Sequence, residues 1–242
     1  MNILLTGSEG FVGSHLFYHL KDEHNVIGFD IKNGQDILQS EFPKDIDLVI
    51  HLASLSGVRD SLDKPTDYWK TNVIGTQRLF EHYRDTRIIY ASSSTAHEPW
   101  KNPYAMSKYS LEQIAPPNSV GMRFTTVYGP NARESMLIPR ILRNDVPYIN
   151  TNHSRDFIHV DDLVRAIDTL MKSNLRGVTD IGSGTTNNLV EIIEYFGIDC
   201  ERVVGEQTER LDNLADNTLL NKIGWSPKIN LYDYIKENRN DN

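Results

Sequence analysis

A layered α/β fold, with a parallel sheet covered by helices on both faces, is what this 242-residue sequence predicts. Three observations carry that expectation. Short apolar runs alternate with helix-patterned stretches through the first half of the chain, as crossover units require. The first apolar run empties into a glycine-rich turn that opens a helix. The second ends on an acid, Asp30.

The elements follow in order. Strands are expected at Ile3–Thr6, Val26–Asp30, Asp47–Leu52, Arg87–Ser92 and Ser119–Thr125. Helices are expected between them at Phe11–Asp22, Pro65–Tyr83 and Tyr104–Ile114, the last stopped by Pro116-Pro117. After Pro130 the spacing is less regular. Helices are read at Ser135–Arg143, Asp161–Lys172, Asn188–Phe196 and Leu214–Ile223. The short runs Val178–Ile181 and Arg202–Val204 are read as strands of a smaller lobe, and the polar tail Glu237–Asn242 as frayed.

Composition narrows the function. With 33 acidic and 25 basic residues the net charge is −8, which argues against a nucleic-acid partner. An acidic small substrate needs locally placed Arg or Lys. Cys200 is the single cysteine, so no internal disulfide forms and a reducing, cytoplasmic setting is expected. No run of about 18 apolar residues is present, so no membrane span is expected. Asn2-Ile3-Leu4-Leu5 enters a strand without a basic leader, which argues against a signal peptide.

The turn after the first strand reads Thr6-Gly7-Ser8-Glu9-Gly10-Phe11-Val12-Gly13. Gly7 permits the tight turn, Gly10 lets backbone approach a pyrophosphate, and Gly13 lets the helix pack on the strand. The helix N-terminus then faces the phosphates with free N–H groups. Asp30, closing the next strand, suits the hydroxyls of an adenosine ribose. Dinucleotide binding is expected, NAD over NADP because Asp30 repels a 2′-phosphate; Lys32 keeps NADP open.

Tyr104 and Lys108 stand at i and i+4 on one helical face. A free tyrosine is a poor base at neutral pH, and a nearby ammonium lowers its pKa. The run Tyr90-Ala91-Ser92-Ser93-Ser94-Thr95 leaves a strand end, where such sheets present reactive groups, and one of its hydroxyls can bond the reacting oxygen. His15 and His19 also stand one turn apart, but no further ligand joins them, so no metal site is expected. His51 reads as a packed residue, and Trp69 as core or dimer face.

With these motifs in place the chain resembles the extended short-chain dehydrogenase/reductase family, the NAD-dependent sugar-nucleotide epimerases and dehydratases. The resemblance runs from Met1 to about Tyr234. Besides the glycine turn and the Tyr104/Lys108 pair it rests on Asp36-Ile37, His51-Leu52-Ala53-Ser54, Asn72-Val73-Ile74-Gly75-Thr76, the segment Arg123 to Pro130, and Arg155-Asp156-Phe157-Ile158-His159-Val160-Asp161-Asp162. It implies a Rossmann-type doubly wound parallel sheet with a small C-terminal α/β substrate lobe. Residues 1–130 and parts of 150–185 would form the NAD domain, and 131–150 with 186–242 the lobe. It implies that Asp36 and Ile37 line the adenine pocket, that Leu52, Ala53, Ser54 and Asn72 lie along the cofactor, and that Arg155 and Arg210 meet substrate phosphates.

Thr126, with Arg133 seven residues on, is similar to the UDP-glucuronic acid 4-epimerases, as is Ser56-Gly57-Val58-Arg59. Arg133 offers a fork to a sugar carboxylate, and Thr126, Ser94 and Thr95 add hydroxyl donors. Dehydratases of the family carry Asp-Glu after the catalytic hydroxyl and the decarboxylases a Glu; here Ser94 and Thr95 follow Ser93, which favours an epimerase. The resemblance assigns catalysis to Ser93, Tyr104 and Lys108, with a UDP-linked sugar as partner. A UDP-glucose or UDP-N-acetylhexosamine 4-epimerase remains the alternative, and a non-catalytic NAD sensor the alternative of another class. Family members pair through the Tyr104 and Asn72 helices; the early stop at Pro116 weakens the expectation of a homodimer.

Overall fold

The structure is a computed structural model that describes residues 1–239. In chain order its elements are β1 (Asn2–Thr6), α1 (Phe11–Leu20), β2 (Asn25–Phe29), β3 (Leu48–His51), α2 (Val58–Asp63), α3 (Pro65–Tyr68), α4 (Thr76–His82), β4 (Arg87–Ser93), α5 (Pro103–Ile114) and β5 (Ser119–Phe124). Then come β6 (Thr126–Tyr128), α6 (Leu137–Leu142), β7 (Tyr148–Asn150), β8 (Ser154–His159), α7 (Val160–Met171), β9 (Gly177–Ile181), β10 (Thr186–Asn188), α8 (Leu189–Tyr195), β11 (Glu201–Val203), α9 (Thr218–Lys222) and α10 (Leu231–Asn238). Of the tail expected to fray, Glu237 and Asn238 complete α10, and residues 240–242 lie outside the described residues.

Six strands form one parallel sheet in the order β2-β1-β3-β4-β5-β9. Its strands are apolar on both faces, as a sheet buried on both sides must be. Alternate residues serve different cores. Ile3, Leu5, Leu48, Ile50 and Ile89 pack with Leu16 and Leu20 of α1 and with Leu163, Ile167 and Leu170 of α7. Leu4, Val49, Ile88 and Tyr90 face the other way, onto Leu79 and Phe80 of α4 and Leu111 of α5. The chain adds β2 on one side of β1 and β3 on the other, so a crevice opens beyond their C-terminal ends, where ligands of such sheets bind.

Three expectations are corrected. Val178–Ile181 belongs to β9, the edge strand of the main sheet paired with β5, and not to a smaller lobe. A short apolar run carries no record of the sheet it joins. The stretch 65–83 is not one regular helix: Trp69–Gly75 forms a π-helical segment between α3 and α4. Such segments concentrate at functional sites, and this one carries Asn72. Of the helix expected at 214–223 only α9 forms; the preceding residues run as an irregular strap held by side-chain hydrogen bonds described below.

The remaining strands make two small sheets, β10-β8-β6 and β11-β7. They enclose a third core in which Tyr128, Ile149 and Phe157 meet Ile141 of α6, Ile192 of α8 and Ile235 of α10. β6 continues directly from β5, so one chain segment leaves the main sheet and enters the second body beside the crevice. Among the described residues no helix is long and apolar enough to cross a membrane.

Ile89 sits in the central strand β4 with no exposed surface. Ile89→Ala is expected to lower the unfolding free energy by about 2–5 kcal/mol, read from the urea midpoint.

Candidate active site

The glycine turn is shaped by close backbone contact. Gly7 takes a positive φ of 72°, and a Cβ there would stand 2.7 Å from the Ala53 nitrogen. A Cβ on Gly13 would stand 1.9 Å from the Gly7 carbonyl oxygen. Only glycine therefore allows α1 to begin against β1 and β3. No side chain caps α1 at Gly10, so the first-turn N–H groups around Phe11 and Val12 are open to an anion. Asp30, 8% exposed, is steered beside this turn: its carboxylate accepts from the Glu9 N–H at 3.0 Å and the Lys32 N–H at 2.9 Å. The Lys32 ammonium turns back to the Glu9 carbonyl at 2.9 Å. A backbone cradle that any Cβ would fill, open N–H groups and an adjacent carboxylate fit a dinucleotide.

Asp36 and Ile37 lie on the loop after β2. Asp36 accepts from the Leu38 N–H at 2.9 Å, and Ile37 is buried against Gly75 of the π segment. Leu52, Ala53 and Ser54 leave β3 beside the glycine turn; the Ala53 N–H donates to the Thr6 hydroxyl at 3.2 Å. His51 is buried between the Thr6 and Thr76 hydroxyls at 2.6 and 2.8 Å. Burial, with the Lys108 charge adding to it, pushes its pKa down to about 3, so it is a neutral packing residue.

The structure brings Ser93, Tyr104 and Lys108 together at the end of β4. Asn102 caps α5 by accepting from the Ala105 N–H at 2.7 Å, and Pro103 occupies the first turn, so the helix starts one residue before Tyr104. Ser93 accepts twice from Thr95, from its N–H at 3.2 Å and its hydroxyl at 3.0 Å. Its own hydrogen is then the one thing it has left to give, and it lies against the Tyr104 hydroxyl. The Thr95 hydroxyl is spent on Ser93.

Lys108 is 1% exposed, and its ammonium donates to the Ser54 hydroxyl and the Ala91 carbonyl, both at 2.9 Å. It stands 5.9 Å from the centre of the Tyr104 ring. Burial holds its pKa down to about 7 while Glu112, one turn further along α5, pulls it up. The Tyr104 pKa is raised by burial, with the Ser93 hydrogen bond and the Arg133 charge pulling it down. The spacing predicts a lowered value; burial of the hydroxyl outweighs the Ser93 hydrogen bond and the Arg133 charge.

Two side chains hold this arrangement from behind. Asn72 is fully buried; it accepts from the Leu55 N–H at 2.8 Å and donates to the Leu55 carbonyl and the Ser107 hydroxyl, both at 3.0 Å. Its amide thus clamps the loop after β3 to α5. Glu112 accepts from Arg123 at 2.8 and 2.5 Å and from the Ser92 hydroxyl at 2.5 Å. The i, i+4 spacing of Lys108 and Glu112 is the sequence signal that could have found it.

The Arg133 charge pulls down the pKa of both the Tyr104 and the Tyr68 hydroxyl, against the rise that burial imposes. Tyr68 packs edge-on to Tyr104 at 6.0 Å. Ser94 and Thr126 both accept from the Asn213 amide. Arg210 donates to the Ser94 carbonyl at 2.5 Å and pairs with Glu98 at 3.1 Å. Arg155 donates to the Arg210 carbonyl at 2.9 Å and pairs with Glu209 at 3.0 Å. Arg59 meets the same carboxylate at 3.5 Å and bonds the Tyr148 hydroxyl. Asn213 and Glu209 escaped the sequence reading because their partners lie on segments far away along the chain, beyond any local pattern. His15 and His19 line a groove between α1 and α7, and no group of three His, Cys, Asp or Glu suited to a metal occurs among the described residues.

Asn72→Ala removes the partner of the Leu55 N–H and carbonyl at a half-buried seam and leaves the Ser107 hydroxyl one bond short. It is expected to lower stability by about 1–3 kcal/mol, measured by urea unfolding.

Comparison with known proteins agrees with this geometry. The sequence model of the NAD dependent epimerase/dehydratase family matches residues 3–182. Protein CapI of Staphylococcus aureus is 31% identical, over 71% of this chain and 70% of its own. The UDP-glucuronate 4-epimerase of Thermodesulfobacterium geofontis is 28% identical, over 87% of this chain and 77% of its own. Among solved structures, MoeE5 in complex with UDP-glucuronic acid and NAD superposes with a TM-score of 0.86 at 28% identity, covering 99% of this chain and 97% of that one. The same protein is also solved with UDP-glucose and NAD, at a TM-score of 0.87 and 26% identity over 98% of this chain and 97% of that one. The glycine cradle, the Ser93–Tyr104–Lys108 cluster and the family match over residues 3–182 agree: this chain belongs to the NAD-dependent epimerase/dehydratase family.

Proposed function

We propose that this chain is an NAD-dependent epimerase that inverts carbon 4 of a nucleotide sugar through a 4-keto intermediate, with UDP-glucuronic acid and UDP-galacturonic acid as its substrate pair. One observation carries the choice of an acid sugar. Arg133 lies on the loop before α6, yet its charge acts on the Tyr104 hydroxyl. That positive charge would favour an anionic group on a sugar reacting at Tyr104. The relative in T. geofontis bears that activity in its name, which supports the same reading.

Gly7, Gly10, Gly13 and the α1 N-terminus would hold the cofactor's pyrophosphate, Asp30 its adenosine ribose, and Lys108 and Ser54 its nicotinamide end. When bound, NAD supplies the hydride acceptor for sugar carbon 4 and gives the hydride back on the opposite face. Tyr104 takes the 4-hydroxyl proton as the carbon is oxidised and returns it when the carbon is reduced. Ser93, with both acceptor positions taken by Thr95, gives its hydrogen to the 4-oxygen. Arg155 and Arg210 lie where a diphosphate would compete with Glu209 and Glu98 for them.

A 4-keto uronic acid is a β-keto acid and tends to lose CO₂. That loss carries the carboxylate charge into the ring. Arg133 binds the charge where it starts, so it favours the intact acid over the route to decarboxylation. A 4-epimerase of UDP-glucose is the second reading, favoured by the likeness to the MoeE5 complex with UDP-glucose.

The test is incubation of NAD-loaded protein with UDP-glucuronic acid and with UDP-glucose, read by proton NMR. UDP-galacturonic acid without UDP-xylose is the expected product. Galactose epimerisation alone would leave the Tyr104 chemistry standing and overturn the acid-sugar assignment. Absence of conversion, with no NADH absorbance on adding either sugar, would favour the non-catalytic sensor. Arg133→Ala is expected to cut kcat/KM for the acid sugar by about a hundredfold, or to release UDP-xylose.

A pH profile gives a separate check. Tyr104 ionises above its ordinary pKa, so kcat/KM for UDP-glucose should climb with rising pH. Removing the Arg133 cation disfavours the phenolate, so Arg133→Ala should move that climb to higher pH, while Arg133→Lys should hold it near the wild-type position.

A further inference from the structure

Asn213 sits on the strap between β11 and α9 and is 6% exposed. Its amide has one possible orientation. The carbonyl oxygen accepts from the Asp156 N–H of β8 at 2.7 Å, and only an oxygen can do so. The NH₂ must then face the other way, where it donates to the Thr126 hydroxyl oxygen at 3.2 Å and, more weakly, to the Ser94 hydroxyl oxygen at 3.5 Å. A hydroxyl owns one hydrogen and two lone pairs. With a lone pair on each oxygen engaged by Asn213, each hydrogen is left to point elsewhere, and neither hydroxyl donates to another group among the described residues.

We infer that Asn213 is a positioning residue that sets substrate preference, by fixing the Ser94 and Thr126 hydroxyls as donors toward the sugar. This deepens the proposed function and rests on it. The two hydroxyls and the Arg133 guanidinium together offer hydrogens and positive charge. A uronate carboxylate is acceptor-only and takes charge-assisted bonds from such a wall. A hydroxymethyl group brings a hydrogen of its own that finds less to accept it. The backbone N–H of Asp156, through one amide, thus dictates the polarity of two hydroxyls on two other segments.

The experiment is calorimetric titration of NAD-loaded protein with UDP-glucuronic acid and with UDP-glucose, for the wild type and for Asn213→Asp. In that variant an ionised carboxylate takes the place of the amide, accepts the hydroxyl hydrogens and repels the uronate. The ratio of acid-sugar to neutral-sugar affinity is expected to fall by about tenfold or more. A structural role alone would weaken both sugars alike, so an unchanged ratio overturns the inference. If the Asn213→Asp protein does not fold, Asn213→Ser serves: it can accept from the Asp156 N–H but is too short to hold both hydroxyls, and the ratio should fall in the same direction. An unchanged ratio there overturns the inference equally. The proposed function is read from a different number, the wild-type ratio and its NMR product. A wild type that favours UDP-glucose, with a ratio that still falls on Asn213→Asp, overturns the acid-sugar reading and leaves the role of Asn213 standing. A wild type that binds neither sugar overturns both.

Discussion

An ammonium group taken out of water sits at the seam on which this structure depends. Lys108 is buried where α5, the end of β4 and the loop after β3 meet, and its three donors have few places to go. An unpaired buried charge is costly, so the surroundings must supply acceptors at fixed positions. Ser54 and the Ala91 carbonyl do so from two different segments. Burial still drives the pKa down to about 7, and the Glu112 carboxylate one turn away resists that. The same seating sets Tyr104 one turn earlier on α5 against Ser93. Position and protonation of the reactive cluster are thus two results of one constraint.

A second buried charge organises the other side of the crevice. The Asp156 carboxylate is fully buried in β8 and accepts from the Ser183 N–H at 2.6 Å, the Ser183 hydroxyl at 2.8 Å, the Gly184 N–H at 3.0 Å and the Ala215 N–H at 3.1 Å. Burial raises its pKa and these bonds pull it back. They tie the turn after β9 and the strap before α9 to the second sheet. Arg155, Lys101 and Asn102 add to the hold: Lys101 donates to the Glu209 carbonyl and Asn102 to the Thr208 carbonyl, both at 2.9 Å. The strap that carries Glu209, Arg210 and Asn213 therefore has no regular secondary structure and yet a defined place. Arg155 and Arg210, both expected to meet phosphate, already have carboxylate and carbonyl partners from Glu209, Glu98 and the main chain.

Much of the first half was legible because its constraints are local. Gly7, Gly10 and Gly13 answer to contacts within one strand–turn–helix unit, and Tyr104 and Lys108 to the pitch of one helix. The apolar runs of β1, β3 and β4 follow from burial on two faces. The errors fall where the deciding partner is remote. Val178–Ile181 looks the same whether it closes the main sheet or a small lobe. The π segment carries Asn72, whose partners Leu55 and Ser107 lie on other segments that no periodicity within 65–83 reveals.

By itself the sequence determined the layered α/β class, the glycine turn and the tyrosine–lysine pair on one helical face, since steric limits on glycine and the helical repeat act over a few residues. The tertiary structure decided which way the balance of burial and charge moves the Tyr104 and Lys108 pKa values, that the Arg133 charge reaches Tyr104, and which hydroxyls the Asn213 amide bonds. Those depend on dielectric surroundings and on partners brought from distant segments, and both exist only once the chain has closed around them.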